Sequence, residues 1–121
     1  MTTTNNLERL GGVKALTLIF SQGVLAEILE IDEQGVYELC AGPRRVVLPT
    51  MLLARLDYLE TLVLILTLKG LSGAGIASWI YAPSSALSGR APDQFLRAEW
   101  DVHSSASLRV LAHARGELVG A

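Results

Sequence analysis

Residues 79–96 read WIYAPSSALSGRAPDQFL. This segment is too rich in bulky apolar groups for a linker and too broken by Pro83, Gly89 and Pro92 for a helix. Proline lowers the entropy of the unfolded chain, and glycine permits a turn with positive φ. The segment therefore reads as an ordered corner between helices. Pro92 suits the first turn of a short helix, with Asp93 near its positive end.

Outward from this corner the pattern is helical. Upstream, Ser72 is placed to cap a short helix over 73–81 containing Ile76, Trp79 and Ile80. Before it, Pro49 introduces a long helix over 50–68, with an apolar stripe through Leu52, Leu56, Leu59, Val63 and Leu66. Its most apolar run, TLVLILTL at 61–68, is far shorter than the roughly 20 residues that span a bilayer. Downstream, a last helix is predicted over about 103–115. Leu108, Leu111 and Ala112 are expected inward, with Gly116 as its stop.

The first half carries two shorter helical patterns. In QGVLAEILEI, residues 22–31, Val24, Leu25, Ile28 and Leu29 form one face. Asp32 then has the chemistry of an N-cap for EQGVYELCAG. Val36, Leu39 and Cys40 share a face there, and Gly42-Pro43 ends the helix. Two short helices joined by a tight turn outline a helix-turn-helix. Residues 7–20 are loosely helical with a weak point at Gly11 and Gly12, and residues 1–6 are polar.

The composition agrees with an all-α fold. Half of the 121 residues are hydrophobic, mostly Leu, Ala and Val, so a sizeable core is available. The net charge of −2 and the lack of a charge run exclude a nucleic-acid tail. Cys40 is the only cysteine, which excludes an intrachain disulfide and fits a reduced, cytoplasmic setting. The opening MTTTNNLERLGG lacks a basic region followed by an apolar run, so no signal peptide is expected. His103 and His113 stand ten apart with no second cysteine, so no metal site is expected. KGLSGAG lacks the strand and fuller motif of a phosphate loop. No catalytic arrangement follows from spacing. Neither an enzyme nor a cofactor is expected.

The corner and its surroundings resemble the toxin-binding domain of Xre/MbcA/ParS-type antitoxins. The resemblance is carried by Trp79, Ile80 and Pro83, then by the Leu-x-Gly-x-x-Pro core of Leu87, Gly89 and Pro92. Phe95, Leu96 and Gly116 follow, and with the long helix the likeness covers roughly 50–118. It implies an Xre-like helix-turn-helix subdomain over 1–49 and a toxin-binding subdomain over 50–121. This sequence departs from the family at four places: Glu30 fills a turn position often held by Gly, LCAG lacks the usual Trp, Ala91 replaces a capping Ser or Thr, and AEWDV lacks a Gly.

The resemblance implies a type II antitoxin that neutralises a toxin encoded beside it. Family toxins are often RES-domain enzymes that consume NAD+ or transfer ADP-ribose from it. The toxin-binding positions implied are Trp79, Pro83, Leu87, Gly89 and Pro92, and Arg90, Arg109 and Arg115, on the corner and the last helix, are the charged contacts expected beside them. The apolar load of so short a chain points to a homodimer. The alternative is a stand-alone helix-turn-helix transcriptional regulator. In either case, as an antitoxin autoregulating its operon or as a stand-alone regulator, Gln34 and Tyr37 would contact base edges or phosphates of operator DNA, with Arg44 and Arg45 as the local positive patch. Against DNA binding, residues 1–50 hold four basic and six acidic side chains, and DNA affinity draws heavily on Lys and Arg.

Overall fold

The computed structural model describes residues 16–41, 49–97 and 100–116. Among them the fold is all-α, with five α-helices, two 3-10 turns and no strand. The chain divides into two compact units between Glu60 and Thr61.

The first unit begins with a turn in which the Phe20 N–H donates to the Leu16 carbonyl at 2.8 Å, both side chains being buried. Helix α1 (Gln22–Leu29) is capped by Ser21, whose hydroxyl accepts from the Val24 N–H. It buries Leu25, Ala26, Ile28 and Leu29. Its end is a left-handed turn at Glu30, φ 58°, closed by the Ile31 N–H on the Ala26 carbonyl. Asp32 caps helix α2 (Glu33–Ala41), accepting from the Gly35 N–H at 2.7 Å. Val36 and Leu39 of α2 are buried and Cys40 is half-buried. The two helices pack together, and Gln22 Nε2 donates to the Glu33 carbonyl across them.

The position often held by glycine in such turns is thus occupied by a glutamate in the conformation glycine favours. Glu30 has a compensating role. Its carboxylate lies 3.0 Å from Arg55, a cation only 3% exposed on the long helix. Both Glu30→Gly and Glu30→Ala remove that ion pair, but only glycine relieves the backbone. Glu30→Gly is therefore expected to be more stable than Glu30→Ala by about 1 kcal/mol in urea denaturation. Equal stabilities would mean that the left-handed turn relaxes when its side chain is removed.

Helix α3 (Thr50–Leu68) runs through the boundary between the units. Leu52, Leu56 and Leu59 are buried as expected, and so is Leu66. Leu62 takes the buried place assigned to Val63, which is half-buried, and Arg55 and Tyr58 are buried as well. Residues 62–66 of α3 are apolar without a break, so periodicity could not choose between adjacent positions there. No described helix is long and apolar enough to cross a membrane.

In the second unit, Gly70 at φ +94° turns the chain after α3. Ser72 caps helix α4 (Gly73–Tyr81), accepting from the Gly75 N–H. The corner follows, as two 3-10 turns over Ser85–Leu87 and Pro92–Phe95. Helix α5 (Ser105–Arg115) closes the unit; Ser104 caps it, and Gly116 ends it at φ +78°. Helix α4 packs on the Pro92–Phe95 turn, and α5 packs on both turns.

The inward face of α5 differs from expectation. Ser107, Val110, Leu111 and Ala114 are buried, whereas Leu108 is 53% exposed and Ala112 half-buried. A polar residue defines that face: the Ser107 hydroxyl donates to the Asp101 carbonyl at 2.6 Å, which satisfies it where it is buried. With Ser107, Val110 and Ala114 on the buried face, Leu108 falls on the outward side of the helix.

Candidate partner-binding face

The corner is held by its own backbone. The Gly89 N–H donates to the Ser84 carbonyl at 2.8 Å, and the Ser84 N–H donates to the Arg90 carbonyl at 3.1 Å. Ser84 and Arg90 thereby form an isolated antiparallel bridge. Two successive left-handed residues, Ser88 at φ 59° and Gly89 at φ 81°, make the reversal. Only the second is a glycine; Ser88 carries the rarer conformation with a side chain. The Ser84 hydroxyl accepts from the Ala86 N–H, fixing the first 3-10 turn.

The second 3-10 turn has Ala91 at its N-cap position, which offers no side-chain cap. Gln94 supplies the bond from the other direction: its Oε1 accepts from the Ala91 N–H at 2.7 Å. This is the return half of a capping box. Asp93, buried in the first turn of this element, pairs with Arg97 at 3.1 Å. Pro92 is buried and Leu87 is only 1% exposed. The corner is thus satisfied internally and anchored by apolar contact.

Where the corner meets α5, the surface is concave. The depression measures about 380 Å³. Leu87, Phe95 and Ala106 give it apolar surface. Ser88 and Ser105 add hydroxyls, and Arg90 and Arg109 add guanidinium groups. Arg90 lies over the Phe95 ring at 5.9 Å, the outer limit of cation–π attraction. Arg109 Nε donates to the Ala86 carbonyl at 3.2 Å, tying α5 to the corner. Among the described residues neither arginine has an ion pair, and no described residue of the lining is acidic.

Three sequence-predicted positions, Leu87, Arg90 and Arg109, therefore come together. Gly89 and Pro92 shape the loop that carries two of them. Trp79 belongs to a different cluster, stacked on His113 with ring centroids 5.1 Å apart. Pro83 is exposed at the start of the corner, and exposed Arg115 lies in the last turn of α5. Ser88, Ser105 and Ala106 were not anticipated. The only sequence signal for the serines is their cap-like spacing, which says nothing of a shared surface.

The Trp79–His113 cluster has a titratable member. Burial pushes the His113 pKa below its ordinary value of 6.5, and the nearby Lys69 charge pushes it the same way. The native state thus binds fewer protons than the unfolded chain below that value. Its contribution to stability is full above about pH 6.5 and is lost as the pH falls through the native pKa. Stability is expected to decline between about pH 7.5 and pH 5, and His113→Gln should flatten part of that decline. Urea midpoints at the two pH values check this; an identical decline in the variant would remove His113 from the account.

In the first unit, Tyr37 is 58% exposed on α2. Gln34 is also exposed, with its Nε2 3.5 Å from the Glu38 carboxylate. Glu33 and Glu38 are exposed on the same helix. Arg44 and Arg45 lie outside the described residues. Among the described residues, no three His, Cys, Asp or Glu side chains group to hold a metal ion. No family model, curated protein or solved structure matches the chain.

Proposed function

We propose that this protein is an antitoxin of the Xre/MbcA/ParS type, whose corner and last helix bind a toxin and occlude its substrate cleft. The partner implied is a RES-type enzyme that consumes NAD+ or transfers ADP-ribose from it. One observation carries the reading. Arg90 and Arg109 flank a single depression without an internal ion pair among the described residues, on a corner whose backbone bonds are satisfied within itself. Charges left uncompensated on a preorganised surface suit a partner, because little ordering entropy is lost on binding.

The chain then acts by binding rather than by catalysis, in the cytoplasm, as a homodimer. The exposed leucines Leu64 and Leu68 lie four residues apart on α3 and share one helical face. A clean monomer by light scattering at micromolar concentration would remove the dimer from this reading. The test of the function is co-expression with the product of the adjacent gene. Growth should be rescued from that product, and the two proteins should purify together. Free passage of the adjacent product, with no rescue, would refute it.

A second reading, a stand-alone DNA-binding regulator, draws on the α1–turn–α2 geometry and on exposed Tyr37. The exposed carboxylates of Glu33 and Glu38 oppose it, since they would face phosphates. Retention on promoter DNA that weakens steeply with salt would favour it.

A further inference from the structure

The depression between the corner and α5 has a chemistry that narrows its occupant. Two arginines from separate elements contribute to one concave surface, in a chain whose net charge is −2. Their charge is therefore local and not part of a generally basic surface. The guanidinium of Arg109 is oriented by its Nε bond to the Ala86 carbonyl, which leaves its two Nη groups for another acceptor. Arg90 lies over the Phe95 ring, 5.9 Å from its centroid. A planar fork in a fixed orientation matches a carboxylate bidentately. The lining residues Ser105 and Ala106 occupy the first turn of α5, where backbone N–H groups have no partner inside a helix. They reinforce the preference for negative charge, which the arginines establish.

Apolar surface accompanies these charges. Phe95 and Ala106 are half-buried in the lining. A small phosphate would use the arginines and ignore the apolar groups. A peptide that carries both acids and apolar side chains would use both. We propose that this depression receives an acidic peptide segment of the protein partner, its carboxylates on Arg90 and Arg109 and its apolar side chains against Phe95 and Ala106. The assignment rests on the toxin-binding reading and specifies what the toxin presents.

The test follows the backbone amides of the full chain by NMR during titration with acetyl-Asp-Leu-Glu-Leu-amide. Its neutral counterpart, acetyl-Asn-Leu-Gln-Leu-amide, and inorganic phosphate are titrated separately. The acidic peptide should shift the amides of Ser88, Arg90, Ser105, Ala106 and Arg109. It should bind about tenfold more tightly than the neutral peptide, and more tightly than phosphate. Arg90→Gln should weaken it about tenfold. That substitution removes no backbone hydrogen bond, so the fold should persist; Arg109→Gln, which loses the Ala86 contact, serves as the second variant. Equal binding of the two peptides, equal binding of phosphate, or shifts confined to other residues would overturn the proposal. The toxin reading fails separately. Selective peptide binding together with full neutralisation by Arg90→Gln and Arg109→Gln would uphold the groove and refute its use against the toxin. No peptide binding together with lost neutralisation would do the reverse.

Discussion

Replacing Leu87 by Asp is expected to unfold the second unit at neutral pH. Leu87 is 1% exposed and belongs to the 3-10 turn on which α5 packs. Truncating a buried leucine costs about 2–5 kcal/mol. A carboxylate in the same place adds the cost of burying a charge, which Arg90 and Arg109 in the same depression offset only in part because they lie at the exposed surface. Together these consume most or all of the roughly 5–15 kcal/mol that stabilises a small domain. Circular dichroism should show a loss of helix, and urea denaturation a weakened or absent transition for this unit. Leu87→Met, of similar volume, should cost less than about 1.5 kcal/mol. A native-like helical signal and an unchanged midpoint in Leu87→Asp would mean that the corner does not organise the unit.

Reversing the charge at Arg90, Arg109 and Arg115 is expected to separate folding from function. All three side chains are exposed, and none is part of the buried set of α5. The internal interactions lost are weak. Arg90 gives up a distant ring contact, and Arg109 gives up one hydrogen bond to the Ala86 carbonyl. The hydrogen bond is worth about 1 kcal/mol. The triple glutamate variant should therefore keep its helical signal with a modest fall in melting temperature. Its effect on a partner should be far larger. A like charge placed in a charge-complementary interface costs several kcal/mol, so affinity for the toxin should fall at least about a hundredfold. Cells expressing the variant should no longer be protected. Full protection by a folded variant would place the contact surface elsewhere on the chain.

The elements of the fold were legible where the sequence punctuates them. Pro49 and Gly70 bracket α3, Ser72 opens α4, and Gly116 ends α5 in the left-handed turn that favours glycine. Faces were harder to read than boundaries. In α3 residues 62–66 are apolar without a break, so Leu62 and Val63 looked equivalent. In α5 the buried face contains Ser107, whose hydroxyl is satisfied by a carbonyl six residues back. A serine offers no hydrophobic signal, and the reading settled on Leu108 instead. The Gln94 bond to Ala91 was hidden for a related reason: the cap runs from inside the turn backwards, while the expected capping side chain is missing.

The face proposed to bind a partner was legible only in part. Leu87 was named from the family resemblance, Arg90 and Arg109 as charged residues of the corner and last helix, and the three meet around one depression. Its remaining polar residues come from a left-handed turn at Ser88 and from the first turn of α5, segments well apart in sequence. Nothing in local spacing brings such segments together; packing does. Trp79 illustrates the converse. It was grouped with the corner by the family resemblance, and it stacks on His113 outside the depression.

The most direct test of the account is co-purification of the tagged full chain with the product of the adjacent gene, beside the Arg90→Glu, Arg109→Glu double variant. The account predicts a complex that persists through gel filtration for the native chain and is lost for the double variant, while both proteins retain the same helical signal. A complex of equal strength with the double variant would contradict it.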